Sequence, residues 1–170
     1  MLEICMGWGL ELTEKVGWVA ANHGQIRCME WLGERGCEFG WQSAVLAARC
    51  GHSACLAYAL SHGAPCSETV VFASVTAPNP DCFALLLDRG EHISRVIKSA
   101  LAERGLVEFF KLAMAYGHFP TQAEIIIAAE SGKLATMTLA YDYLKEWPPS
   151  LLKRLICKRQ FLCFAYAVKH

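Results

Sequence analysis

The chain has 170 residues, of which 54% are hydrophobic and 19% are charged, and its 16 basic and 16 acidic side chains give a formal net charge of zero. This composition is too apolar for a disordered chain, and a neutral chain has no overall field that attracts nucleic acid or a membrane surface. The length suits one domain of ordinary size. The longest stretch without a charged side chain, residues 50–67, is interrupted by Gly, His, Ser and Pro. We therefore expect no membrane span.

The cysteines and the N-terminal residues indicate a reducing compartment. Nine cysteines is an odd number, and the first residues include Glu3 but no basic segment and no small-residue cleavage site, so a secretory signal is not predicted. A secreted disulfide scaffold is therefore disfavoured. We expect reduced thiols and a location in the cytoplasm, with the nucleus as the alternative.

An internal repeat with a period of about 27 residues organises the chain, and three series of residues follow it. The first series consists of residue types favoured at the N-cap of a helix: Thr13, Gly40, Ser67, Ser94 and Thr121. The second series is placed to end this first helix, A, in a tight turn: Gly24, Gly51, Pro78, Gly105 and Gly132. The third series is placed to end a second helix, B, in the same way: Gly36, Gly63, Gly90 and Gly117.

The segments between these residues have helical periodicity. Helix B carries apolar residues at i, i+1, i+3 and i+4, as at Cys28, Met29, Trp31 and Leu32, which gives a wide apolar stripe. No segment alternates with period two over the length of a strand. We predict an all-α, ankyrin-like α-solenoid of stacked helix–turn–helix repeats with about five helical pairs in a single domain, residues 1–170. Its predicted parts are a partial repeat at 1–12, complete repeats at 13–39, 40–66, 67–93, 94–120 and 121–147, and a C-terminal capping repeat at 148–170.

Both ends of the array are atypical, as expected for a repeat protein. Residues 1–8 match only the second half of a helix B, so we expect the chain to begin inside a repeat. That leaves an apolar stacking face open, which suggests self-association or, as an alternative, a piece of a larger regulatory protein whose activity lies outside this chain. In the C-terminal repeat, Arg159 occupies the slot of the inter-helix glycine.

Two segments, Ala20–Cys37 and Ala47–Ala64, resemble the helical part of an ankyrin repeat. Both have two alanines, two variable residues, a glycine, a second helix, and then Gly-Cys or Gly-Ala. The resemblance covers about residues 13–147. Ankyrin repeats are usually longer, at about 33 residues, and their Thr-Pro-Leu-His opening is replaced here by Gln42-Ser43-Ala44-Val45. The resemblance therefore implies an array without β-hairpin fingers that acts as a non-enzymatic scaffold or adaptor for another protein, with no cofactor and no small-molecule substrate.

The same resemblance places the partner-binding residues on the concave face of the A helices. In the family, the two residues before the inter-helix glycine and the first turn of helix A line the groove. The implied residues at the first place include Cys50 and Ser131, and those in the first turn include Glu14, Glu68 and Arg95. The residues we favour are Trp41, Gln42, Asn22, His23, Arg49, Glu103, Arg104 and Glu130.

Trp41 is the sharpest of these candidates. Its slot holds polar or charged residues in the other repeats, which indicates a solvent-facing position, and a large exposed aromatic side chain is typical of an interface hot spot. The alternative is that Trp41 folds back over the shortened loop. The mixed signs of charge on this face argue against a polyanionic partner, so we do not expect nucleic acid to be the ligand.

Other site types have weaker support. The chain has no complete catalytic or phosphate-binding motif. A zinc site would need Cys50, His52 and Cys55, with His62 or Cys66 as the fourth ligand, but Cys55 belongs to a ladder of cysteines that we predict to fill the core: Cys28, Cys55, Cys82 and Cys163. A basic C-terminal segment is the remaining candidate for phosphate or anionic lipid, although basic residues near a helix end are expected in any case: Lys153, Arg154, Lys158, Arg159 and Lys169.

Overall fold

The computed structural model describes residues 14–169, and over this range the chain forms twelve α-helices and no β-strand. The all-α prediction is confirmed for these residues. The helices are α1 (Glu14–Asn22), α2 (Ile26–Gly33), α3 (Trp41–Cys50), α4 (Ser53–Ser61), α5 (Glu68–Ser74), α6 (Asp81–Asp88), α7 (Arg95–Arg104), α8 (Val107–Ala115), α9 (Gln122–Glu130), α10 (Leu134–Leu144), α11 (Leu151–Cys157) and α12 (Phe161–Lys169).

The first residues of the helices recur with the period predicted from the sequence. The first helices of five successive pairs begin at one constant interval, at Glu14, Trp41, Glu68, Arg95 and Gln122. The second helices keep the same interval with one exception, since α6 begins one residue late at Asp81. Pro80 is the N-cap of α6, and a proline at a helix start loses no hydrogen bond because the first N–H groups of a helix have no intrahelical partner.

The helices group into two compact units that divide between Glu91 and His92, with α1–α6 in the first and α7–α12 in the second. In the first unit, α1, α3 and α5 pack side by side as one layer, and α2, α4 and α6 pack as a second layer behind them. In the second unit, α7, α9 and α11 form the first layer, and α8, α10 and α12 form the second. Each helix thus contacts its pair partner and the equivalent helix of the next pair, so the predicted stacked solenoid is confirmed within each unit. The repeat boundaries and the single-domain assignment stay predictions, and the partial repeat at 1–12 lies outside the described residues.

The inter-helix glycines adopt the left-handed conformation and also permit close packing between repeats. Gly51, for example, has φ 80° and ends α3. A Cβ placed on Gly51 would lie 2.7 Å from the Oδ1 of Asn79, at the start of the next turn. Equivalent contacts between successive repeats recur for the other members of the series, where Gly24 meets His52, Gly105 meets Lys133 and Gly132 meets Gln160. Glycine is required here for backbone conformation and for space.

The glycines that end the second helices are different. A Cβ on Gly63, where φ is 88°, would meet no atom within 4 Å. These glycines therefore supply the left-handed turn alone. In the C-terminal pair, Arg159 takes the inter-helix slot with φ 56°. This left-handed conformation costs free energy for every residue type except glycine.

The N-cap series is confirmed at its four described members, Gly40, Ser67, Ser94 and Thr121, each of which has an extended backbone before a first helix. Only Ser94 and Thr121 use their side chains to cap the helix. Thr121 and Glu124 form the predicted capping box, in which the Glu124 carboxylate accepts a hydrogen bond from the Thr121 backbone N–H at 2.8 Å. Thr13 lies outside the described residues.

The cores are built from small and medium apolar side chains. Ala47, Ala48, Ala128 and Ala129 are completely buried on first helices, where small side chains let neighbouring helices approach closely. The core-filling prediction for the cysteine ladder is confirmed at Cys55, Cys82 and Cys163, which are buried as free thiols. Cys28, also a free thiol, is only half-buried.

Candidate partner-binding face

The side-by-side first helices of the first unit create a continuous outward surface, here called the first-helix face. Residues one and five of a helix project on the same side, because i and i+4 are neighbours on the helix surface. Residue one of α1, α3 and α5 is exposed in each case, whereas residue five is half-buried. The set is Glu14 and Trp18 on α1, Trp41 and Val45 on α3, and Glu68 and Phe72 on α5.

Local packing explains how Trp41 is presented. Phe39, two residues earlier, is buried, and its ring lies 3.2 Å from the position that a Cβ on Gly17 would occupy in α1. Gly40 then caps α3 in an extended conformation, so the chain turns outward and leaves Trp41 with 50% of its surface exposed. The absence of a side chain at Gly17 is what lets Phe39 anchor the loop against α1.

Polar groups surround the same point. A Cβ on Gly40 would lie 2.8 Å from the Oε1 of Gln42 and 3.5 Å from the Oε2 of Glu14. The structure therefore brings the predicted residues Glu14 and Gln42 together beside Trp41. A half-exposed indole flanked by a carboxylate and an amide is suited to bury an apolar group of a partner while accepting hydrogen bonds at its edge.

The predicted residues at the other end of these helices also come together in the first unit. The Cys50 thiol donates a hydrogen bond to the Oδ1 of Asn22, at 3.4 Å, and so links the ends of α3 and α1. His23 and Arg49 are exposed there. His23 also lines an apolar cavity of about 380 Å³ with Val16 and Val19. Trp41 and Arg49 lie at opposite ends of α3, which separates them by about 12 Å along its axis.

In the second unit, the predicted residues have different contacts from those in the first unit. Glu103 and Arg104 are exposed at the C-terminal end of α7. Glu130 is committed to an internal contact, since its carboxylate forms a 3.1 Å ion pair with Arg154 on α11. Its backbone carbonyl also accepts a hydrogen bond from the Gln160 side chain at 3.0 Å. Glu130 therefore joins successive repeats, and a partner would have to displace Arg154 to reach its charge.

Trp18 and Phe72 were not predicted, because they lie at the half-buried residue five of their helices and not at the exposed residue one that indicated Trp41. Together with Trp41, Trp18 and Phe72 give the first-helix face of the first unit three aromatic rings. The signal was available in the repeat register, because Trp18, Val45 and Phe72 occupy the same slot in successive repeats.

The geometry of the described residues gives no support to the zinc site. Within residues 14–169, no three His, Cys, Asp or Glu side chains are close enough to hold a metal ion, which covers the Cys50, His52 and Cys55 group. Burial raises the pKa of the Cys55 thiol, with a smaller contribution from Cys28, which disfavours the thiolate form that a metal binds. In the described part of the chain, none of the helices has the length and apolar character that crossing a bilayer requires. Comparison with known protein families and with curated proteins finds no match.

Proposed function

We propose that this chain is a non-enzymatic protein-interaction module, a scaffold or adaptor, that binds a partner through the first-helix face of its first unit. The observation that carries the proposal is the half-exposed Trp41 at the start of α3. Aromatic anchors surrounded by polar groups are typical of interface hot spots. Trp18 and Phe72 extend the apolar area on the neighbouring helices.

The spacing and the turn chemistry further support an ankyrin-like identity of a short form. The described residues contain paired helices, left-handed glycines after both helices and no strand, which fits an ankyrin-like array that lacks fingers. Without fingers, recognition depends on the helices themselves. The mixed charges on the face, including Glu14, Arg49 and Glu68, favour a protein partner over a polyanion.

The experiment is affinity capture from the native cell with the wild-type chain and three variants. Trp41→Ala should reduce recovery of the partner by at least about tenfold, since hot-spot truncations cost about 2 kcal/mol or more. Charge reversal with Arg49→Glu should also reduce recovery. Tyr116→Ala is the matched control, because Tyr116 is a similarly exposed aromatic side chain, at 41%, next to the end of a second helix.

The outcome that contradicts the proposal is a captured set unchanged by both Trp41→Ala and Arg49→Glu. Loss of recovery with Tyr116→Ala alone would contradict it as well, because it would place the interface on the second-helix layer of the second unit, formed by α8, α10 and α12. Circular dichroism of each variant separates a lost interface from a lost fold, and the exposure of both aromatic side chains predicts unchanged helicity.

A further inference from the structure

The second unit contains a cavity of about 530 Å³ where the N-terminal ends of α7 and α9 meet the loop after α8. We call it the α7–α9 cavity. The six lining residues that define its chemistry are His92, Arg95, Lys98, His118, Phe119 and Glu124. Its volume lies in the range of small-molecule sites, which is about 300–1,000 Å³. None of these six residues belongs to the first-helix face of the first unit.

Glu124 is the buried polar group of this cavity. Its side chain is 1% exposed. One carboxylate oxygen, Oε2, accepts hydrogen bonds from the backbone N–H and the hydroxyl of Thr121. The other oxygen, Oε1, is buried and has no hydrogen-bond partner among the described residues. An unpaired buried acceptor that carries charge is costly, so a bound group that donates a hydrogen bond to Oε1 would remove this cost.

Positively charged side chains lie on α7. Arg95 and Lys98 are in its first turns and line the cavity, and neither side chain forms an ion pair with the described part of the chain. The N-terminal ends of α7 and α9 add partial positive charge and N–H groups directed out of each helix. These groups favour an anion beside α7, whereas the buried carboxylate of Glu124 favours a cation.

Two histidines and an aromatic ring complete the wall. The His92 and His118 rings pack edge to face with centroids 5.7 Å apart. Burial lowers the pKa of His118, with further lowering by His92 and Lys98, so this imidazole favours its neutral form. Phe119 is stacked on Tyr143 at 4.8 Å and offers an apolar surface for the body of a ligand.

We propose that the α7–α9 cavity binds a small molecule that carries an anionic group, phosphate or carboxylate, at one end and a protonated amine at the other. The anion is held by Arg95 and Lys98, and the amine donates a hydrogen bond to Oε1 of Glu124. An amine satisfies the site better than a hydroxyl, because its positive charge also compensates the buried carboxylate. This site shares no residue with the first-helix face of the first unit.

The test uses the full chain and three probes in calorimetric titrations. Tyramine phosphate carries a phosphate, an aromatic ring and an amine, whereas phenyl phosphate lacks the amine and tyramine lacks the phosphate. Tyramine phosphate should bind at least about tenfold more tightly than either truncated probe, since each charged hydrogen bond contributes at about this level. Equal affinities for all three probes, or no binding by any of them, would overturn the proposal.

Two substitutions test which residues bind the amine end and the phosphate end of the probe. Glu124→Gln keeps the capping box, because Gln serves in that position as well as Glu, and it should make tyramine phosphate no better than phenyl phosphate. Lys98→Met should weaken both phosphates by about tenfold and leave tyramine unchanged. Lys111→Met is the matched control, since Lys111 pairs with Glu108 outside the cavity in the same unit. If Glu124→Gln lowers the unfolding temperature, Lys98→Met and Arg95→Gln carry the test.

A second readout follows the His118 ring by NMR during a pH titration. A bound phosphate adds negative charge near His118 and should raise its pKa, against the lowering produced by burial, His92 and Lys98. The other titratable side chains that line the cavity with His118 are His92, Arg95, Lys98 and Glu124. A pKa of His118 that does not change at saturating tyramine phosphate would show that the probe binds elsewhere and would overturn the assignment.

Discussion

The two series of turn glycines should respond differently to alanine, although both have a left-handed backbone. At Gly63, with φ 88° and open space around the added methyl, alanine incurs only the conformational cost of about 1–2 kcal/mol. The smaller entropy of the unfolded chain offsets about 0.4–1 kcal/mol of this. We expect Gly63→Ala to lower the free energy of unfolding by about 1 kcal/mol.

At Gly51 the same change also creates a steric conflict. The new Cβ would lie 2.7 Å from Oδ1 of Asn79 and 3.3 Å from Cδ of Pro78. Rotating Asn79 away would break the 2.8 Å hydrogen bond that its Nδ2 donates to Asp81. Overpacking of this kind adds about 1–3 kcal/mol, so Gly51→Ala should lower the free energy of unfolding by about 2–4 kcal/mol.

Urea unfolding measures both losses, provided that the slope of the free energy with urea is unchanged. The double variant Gly51→Ala with Asn79→Ala is the control, and it should recover most of the excess loss because the contacting amide is gone. Equal losses for Gly51→Ala and Gly63→Ala would refute the idea that the inter-helix glycines are required for contact between repeats. No recovery in the double variant would refute the role of Asn79.

Further predictions concern strain, burial and thiol reactivity. Arg159→Gly should raise the free energy of unfolding by about 0.5–1 kcal/mol, because it relieves a left-handed φ, and a loss of stability in urea unfolding would argue against strain there. Among the described residues, the Ser43 hydroxyl is buried without a hydrogen-bond partner, whereas that of Ser74 donates to a carbonyl at 2.7 Å. Ser43→Ala should therefore be neutral or stabilising, and Ser74→Ala should be destabilising by about 1 kcal/mol. In native protein at pH 8, iodoacetamide should modify the exposed Cys157 long before the buried Cys82. The Cys82 thiol is protonated at that pH, because burial raises its pKa to about 12. Equal rates of modification would contradict the burial of Cys82.

The repeat register made the fold predictable. Glycines with positive φ, the N-cap residues and the apolar stripes obey local rules, and each could be located from spacing alone. The close approach of Pro78 and Asn79 to Gly51 could not, because these residues meet only after the repeats stack. Local sequence rules do not give such contacts between repeats.

The candidate face was predictable in part. Trp41 occupies a slot that holds polar or charged residues in the other repeats, and this pattern predicted an exposed indole. In the structure, half of that side chain is exposed. The ion pair of Glu130 with Arg154 was not predictable, because it joins residues on different repeats whose side chains meet only after stacking. For the same reason no sequence pattern indicated the unpaired Oε1 of Glu124, which requires the burial of a capping-box residue.

The most direct test of the interaction proposal is photo-cross-linking from the first-helix face. A benzophenone amino acid in place of Gln42 leaves Trp41 intact beside it, and the same amino acid in place of Tyr116 reports on the second-helix layer. The account predicts that irradiation in the native cell extract gives a discrete cross-linked protein from position 42 and none from position 116. A discrete product from position 116 with none from position 42 would contradict it.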